Sequence, residues 1–425
     1  MRRSDDLRDT AGGSDPPKSE EDEAIDRISS LPDCLLLHIL SFLPFRCAVR
    51  ASLMLRPFRG LWRYLSSLSF KEYNYRYDLH TCDPAPSEGG GDRLWNFVDH
   101  VLALHESPEI HRLEIVLGTY ASISPNPYDY EGEESGSKRL GEWICFALKK
   151  KVKVLDVNLL SYRHPLGAKL SHCRVPSAVF TTSSLVELNL SVPNVEFGEQ
   201  IQLELLQKLW MNSVRLSEEV MRKLLSGSPS LKKISLRYCW GLRVLKIDRH
   251  PSLEELDVRQ CRELEKVDLA SSGIKILAIF IFNPMNKIIC PPNISTLQLD
   301  GPKLNGVNLE CGPSLNDVAL NFHHRYEDFF SEEVEVKTLL EKLRNVTSFS
   351  LANWIMMFFS RWKLMNEPRP SFNWKSLTIN LELAKQHLPG ISCLLETCNF
   401  LETLTIYALR SYDDIEVRSG DSRFF

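Results

Sequence analysis

The sequence contains no C-x-x-C pair. Its eleven cysteines are scattered, and the nearest two, Cys393 and Cys398, are poorly spaced as ligands of one ion. A metal site is not expected, and reduced thiols in a cytoplasmic or nuclear protein are. No apolar run is long enough for a signal peptide or a membrane span, which argues against a membrane partner. The net charge of −4 leaves no basic field, so nucleic acid is not an expected partner either. Gly89-Gly90-Gly91 lacks a preceding strand and a Lys-Ser/Thr pair, so it is no phosphate cradle. No nucleophile has an evident base, so neither enzyme activity nor a cofactor is expected. The sequons at Asn189, Asn293 and Asn345 fall in or beside expected strands and read as chance.

What is present is leucine at two spacings. Between Ile28 and Trp62, Leu35, Leu36, Ile39, Leu40 and Leu43 recur three and four residues apart until Pro44 stops the run. This predicts a short helix whose apolar face is too wide for one neighbour. Ser30-Leu31-Pro32-Asp33 reads as a capping box at its start. Ala48, Val49, Ser52 and Leu53 predict a second helix, and Phe58, Leu61, Trp62 and Leu65 a third. Each is too short to be stable alone.

These residues resemble the plant F-box motif nearly position by position: Asp26 to Pro32, Leu35 to Pro44, Ala48-Val49-Arg50 and Leu61-Trp62-Arg63. The resemblance implies docking onto the Skp adaptor of a cullin-RING ubiquitin ligase through Leu31, Pro32, Leu35, Ile39, Leu40, Leu43, Pro44, Val49 and Leu53. The alternative is that these leucines form only the inner core of a helical bundle. Two stretches depart from the family pattern, Phe45-Arg46-Cys47 and Leu55-Arg56-Pro57-Phe58. Both lack a side-chain helix cap, each worth about 1 kcal/mol.

After Trp95-Asn96-Phe97-Val98, which predicts an amphipathic helix running to Leu102, an L-x-x-L-x-L hexad returns in degenerate form. Copies start at Val152, Leu185, Leu231, Leu242, Leu253, Leu264, Ile274, Ile294, Leu304, Leu315, Val346 and Leu401. Alternation within each hexad marks a strand with one buried face. The pattern resembles leucine-rich repeats, and Cys239 and Cys261 match their cysteine-containing type, in which the thiol turns inward. In the middle of the chain the hexads arrive at about half of a normal repeat of about 20–29 residues. Those at Leu231, Leu253, Ile274, Ile294 and Leu315 are therefore assigned to a parallel concave sheet, and those at Leu242, Leu264 and Leu304 to the convex side; the competing arrangement crowds all of them into one sheet.

The expected fold is α/β: a small all-α F-box head, then a leucine-rich-repeat solenoid with a parallel concave sheet. The expected divisions are a disordered tail at 1–24, the head at 25–72, a linker at 73–93, the array at 94–415 and a tail at 416–425. Plant F-box proteins with leucine-rich repeats often continue into an FBD module, which is expected to be absent or reduced to a few residues.

On the open face of the sheet, Lys233, Arg237, Asp257, Arg259, Phe280 and Asp300 are the candidate target-binding residues. Arg237 and Arg259 could grip an anion, or Lys233 with Glu255 and Arg237 with Asp257 could simply pair across strands, which is favoured. Ile276, Phe280 and Phe282 could form an apolar anchor, with the expected loop at 123–139 as a possible cover. His323 and His324, near Asp328, point to opposite faces of a strand and so read as a solvent-exposed pair, not a metal site. The resemblance implies a substrate-recognition subunit of an SCF-type ligase that binds Skp adaptor, cullin and an unknown target protein. A small-molecule-gated receptor and a non-ligase scaffold are the alternatives.

Overall fold

The computed structural model describes residues 28–71, 90–117, 130–159, 173–281, 287–302, 304, 309–310, 312–322, 333–382 and 385–409. It divides into two units, Met1–Trp62 and Arg63–Phe425.

In the first unit the leucine pattern folds as α1 (Asp33–Ser41) and α2 (Phe45–Met54). The capping box does not form. Pro32 occupies the cap position of α1 in extended backbone, no side chain caps it, and the Pro32 carbonyl accepts from the Leu35 and Leu36 amides at 2.9 and 3.2 Å. Pro44 plays the same part for α2. The expected third helix is replaced by two 3-10 turns, Arg56–Phe58 and Leu61–Tyr64. Pro57 sits in the first turn of the former, where its missing N–H costs little.

The second unit begins earlier than expected, because β1 (Ser67–Lys71) is already a strand of its sheet. There follow α3 (Gly90–Leu104), β2 (Arg112–Val116), α4 (Tyr130–Lys149), β3 (Val154–Asn158), β4 (Arg174–Val175), β5 (Glu187–Ser191), β6 (Asn194–Val195), β7 (Lys208–Asn212) and α5 (Glu218–Gly227). Among the described residues the middle stretch has strands alone: β8 (Lys233–Arg237), β9 (Val244–Lys246), β10 (Glu255–Arg259), β11 (Lys266–Asp268), β12 (Ile276–Phe280), β13 (Lys287–Ile289), β14 (Thr296–Gly301), β15 (Leu309–Glu310) and β16 (Asp317–Phe322). Helices return in α6 (Glu333–Lys342), β17 (Ser348–Ala352), α7 (Asn353–Leu364), β18 (Ser376–Glu382), α8 (Leu388–Thr397) and β19 (Thr403–Leu409).

Among the described residues one parallel sheet of thirteen strands runs β1-β2-β3-β5-β7-β8-β10-β12-β14-β16-β17-β18-β19. A second sheet, β15-β13-β11-β9, takes the alternate hexads of the middle stretch. The division of the hexads at Leu242 and Leu264 from those at Leu231 and Leu253 is thus observed. The hexad at Leu304 leads to β15, and Leu304 itself is buried. Both edges of the second sheet are closed by side chains from helices. The Val244 amide donates to Glu218 of α5 at 3.2 Å, and Lys342 of α6 donates to the Leu309 carbonyl at 3.0 Å, which blocks strand addition.

The core follows from alternation. From β1 to β18, the two inward residues of each main-sheet strand, such as Leu155 and Val157 or Leu297 and Leu299, are no more than 3% exposed. A leucine so buried contributes about 2 kcal/mol, and each is shared with a neighbouring strand, so stability comes from stacking. After β7, β8 and β10 the chain turns through Ser213, Tyr238 and Gln260, all at positive φ between 52° and 57°. The last two turns carry Cys239 and Cys261 inward, where Cys239 Sγ donates to the Met211 carbonyl at 3.5 Å and Cys261 Sγ to the Leu236 carbonyl at 3.8 Å. The hydrogen bond with Cys239, together with burial, pushes the Cys261 thiol up. This suits a structural role.

Two loop assignments are corrected. Residues 130–139 continue α4 instead of forming a loop, and Gly90 and Gly91 begin α3 instead of closing a linker. The helices dock through Trp95 and Trp143, whose rings lie 4.6 Å apart, and Trp143 Nε1 donates to Asp99 at 2.6 Å. Phe282, His323, His324 and Asp328 lie outside the described residues, as do residues 1–24 and 416–425.

Candidate functional site

The sequence-predicted site residues fall on two surfaces, one in each unit. In the head, Leu36, Leu40, Phe45, Ala48, Val49, Phe58, Leu61 and Trp62 are buried. Ser52 ties them together: its hydroxyl donates to the Phe58 carbonyl and accepts from the Trp62 amide at 3.3 Å. A buried hydroxyl satisfied in both directions fixes α2 against the turns. The remaining apolar groups find no place in so small a core. Phe42, Leu53 and Met54 are each more than 70% exposed, and Ile28, Leu35, Ile39, Leu43 and Leu55 are also exposed.

Of the expected adaptor-binding residues, Pro32, Leu35, Ile39, Leu43, Pro44 and Leu53 are exposed and Leu31 is half-buried. Leu40 and Val49 must be reassigned: they are 0% and 7% exposed and hold the head together, as its inner-core alternative would have them. Phe42, Met54 and Leu55 enlarge the patch. Their signal was an apolar residue on the rim of each helical period.

The main sheet's open face is ordered by register. One row runs Glu114, Asp156, Asn189, Trp210, Ser235, Asp257, Ala278, Gln298, and the next runs Asn158, Ser191, Asn212, Arg237, Arg259. Most charges on this face are tied. Lys233 meets Glu255 at 2.7 Å, and Arg237 meets Asp257 at 3.2 Å, so the cross-strand pairing alternative holds. Arg259 bridges Asp257 at 2.7 Å and Asp300 at 3.2 Å, reaching across β12. Asp300 is buried, and it also accepts from Gln298 at 2.9 Å and Asn321 at 2.8 Å. Phe280 is half-buried in the same region, and Ile276 is exposed. Arg237 and Arg259 are thus already committed to carboxylates, which weakens the anion grip.

A groove of about 380 Å³ lies elsewhere on this face, over β3, β5, β7 and β8. At its centre are Asp156, Asn189 and Trp210, none of them among the expected site residues. Burial and the nearby Glu114 carboxylate push the Asp156 carboxyl up, against the amide of Asn189, Arg112 and Lys71. Glu114 goes the other way. Burial raises it, but hydrogen bonds from Lys71 and Ser69 hold it below the ordinary carboxylate range. Among the described residues no group of three or more His, Cys, Asp or Glu is arranged to hold a metal, and no helix is long and apolar enough to cross a membrane.

Comparison with known proteins bears on the fold of the chain. The family model described as "At1g61320/AtMIF1, LRR domain" matches residues 127–288. Along most of its length the chain is similar to a putative F-box/LRR-repeat protein of Arabidopsis thaliana, At3g18150, at 26% identity over 90% of this chain and 72% of the relative. It is also 25% identical to the F-box/LRR-repeat protein At5g02910 of the same plant, over 94% of this chain and 76% of the relative. The chain is thus similar to plant F-box/LRR-repeat proteins. The matched residues 127–288 hold the groove's Asp156, Asn189 and Trp210 together with Lys233, Arg237, Asp257, Arg259 and Phe280. Asp300 lies beyond that match.

Proposed function

We propose that the chain is the substrate-recognition subunit of an SCF-type cullin-RING ubiquitin ligase, its head docking on a Skp adaptor and its repeats holding a target protein. The reading rests on one observation above others: the head leaves Leu35, Phe42, Leu53 and Met54 exposed although a folded unit of this size gains by burying them. A partner with a complementary apolar surface removes that cost, and such residues at the centre of an interface carry most of its energy. The repeat array contributes no bond chemistry in this role. It raises the local concentration of a target beside a ubiquitin-charged enzyme brought by the adaptor and the cullin. In this reading the protein acts in the cytoplasm or the nucleus.

The test is co-purification of the full chain with a Skp-class protein, with wild type compared to a Leu35→Ala, Leu53→Ala double variant. Both residues are exposed, so the fold is retained while capture falls at least tenfold. Undiminished capture by the double variant, or no capture by the folded wild type, would remove the ligase assignment.

A further inference from the structure

We propose that the groove over β3, β5 and β7 receives a basic side chain, arginine or lysine, carried on an extended segment of the target protein. The proposal deepens the receptor reading above by naming the chemistry of what the array holds.

β3, β5 and β7 are adjacent and in register, so Asp156, Asn189 and Trp210 stand in one row and Asn158, Ser191 and Asn212 in the next. Two interstrand steps put the carboxylate and the indole about 10 Å apart. A cation placed at Asp156 would have its aliphatic stem over Asn189, with the adjoining chain on Trp210. The second row supplies amide and hydroxyl groups of the kind that meet an extended backbone. A volume of about 380 Å³ falls within the range of about 300–1,000 Å³ that binds small ligands, enough for one long side chain and its flanking peptide units.

Charge then selects the sign. Glu114 is held by Lys71 at 2.8 Å, Glu187 by Lys208 at 2.7 Å and Asp257 by Arg259 at 2.7 Å. Among the described residues Asp156 is ion-paired with Arg112 alone, at 3.5 Å on a side chain 39% exposed, and it accepts from the Asn189 amide. It is the least compensated carboxylate of this part of the face, and its raised carboxyl agrees. The charged residues lining the groove are Arg112, Asp156, Glu187 and Arg237, and of these Glu187 is held by Lys208 and Arg237 by Asp257. The indole is also placed for a cation, since Lys208 Nζ already lies 5.9 Å from the centre of the Trp210 ring.

The experiment titrates the full chain by calorimetry with a neutral Gly/Ser peptide carrying one arginine, its lysine counterpart and its glutamate counterpart. At least a tenfold preference for the arginine and lysine peptides is expected. Asp156→Asn and Trp210→Ala should each weaken them at least tenfold, and Lys375→Ala, at a distant exposed pair, should not. Binding should also weaken on acidification, beginning above the ordinary carboxylate range. The groups facing Asp156 are Lys71, Arg112, Glu114, Glu187 and Lys208, and of these the carboxylates of Glu114 and Glu187 are tied to lysines. Equal affinity for the glutamate peptide, or an Asp156→Asn variant that binds as wild type does, overturns the proposal. Thermal melting and capture of the Skp-class protein are followed in the same variants. Loss of adaptor capture by wild type refutes the ligase reading and leaves the groove result standing, while normal capture with no peptide preference refutes the groove alone.

Discussion

The head and the repeat array treat their surfaces in opposite ways. In the array the inward leucines from β1 to β18 are almost wholly buried, and the open face is laced by cross-strand pairs such as Lys233 with Glu255 at 2.7 Å. In the head, two short helices and two 3-10 turns enclose a small core and leave Phe42, Leu53 and Met54 in solvent. The difference teaches what each surface would select in the proposed role. The head's apolar patch would gain energy from a well-shaped apolar partner, whereas the array's satisfied charges would reject partners that cannot match their pattern.

The strongest way to break this comparison is a pair of leucine truncations. Leu209→Ala in β7 empties a site that is 0% exposed and should cost about 2–5 kcal/mol in denaturant unfolding. Leu53→Ala removes a side chain 71% exposed and should change stability by no more than about 0.5 kcal/mol while adaptor capture falls. Similar losses of stability from both would show that the head's exposed leucines are structural.

A second contrast lies within the open face. Arg259→Ala strips a partner from Asp257 and from the buried Asp300, leaving Asp300 with Gln298 and Asn321 alone. A cost of about 1–3 kcal/mol is expected from the uncompensated carboxylate. Lys233→Ala breaks one pair whose partners are 38% and 39% exposed, and about 0–1 kcal/mol, shrinking in salt, is expected. Unfolding titrations at low and high salt separate the two.

Much of the fold was legible because both units are written in periodic leucine. The helix at Leu35–Leu43, the hexad strands and the division into two sheets all follow from spacing. Strands β1, β7 and β18 escaped notice because Phe70, Met211 and Trp374 stand where the hexad has leucine, although all three are buried. The first half of α4 read as a loop since Tyr130 to Arg139 is polar and carries two glycines, with no apolar period until Leu140. The candidate site was less legible. Arg259 reaches Asp300 across an intervening strand and 41 residues of sequence, a pairing that no local pattern encodes. The groove likewise forms only when β3, β5 and β7 align Asp156 and Asn189, from hexads of ordinary appearance, with Trp210 of the unread strand β7.

The smallest expected effect tests whether the groove keeps a charge the fold does not need. Asp156 has a raised carboxyl in the folded chain, because burial and Glu114 disfavour its ionised form. Its contribution to stability is therefore full below the unfolded carboxylate range and is lost as pH rises through the folded value. Asp156→Asn removes the titration and keeps the shape. The melting temperature of the variant relative to wild type should accordingly rise between about pH 3 and pH 7, the reverse of what truncating a tightly paired carboxylate gives. Glu114→Gln supplies that opposite sign, since Lys71 and Ser69 hold Glu114 below its ordinary range and its stabilisation is present above the unfolded value. If the two variants shift in the same direction, the two neighbouring carboxylates are electrostatically alike, and Asp156 is a structural partner of Arg112 instead of a charge held in reserve for a ligand.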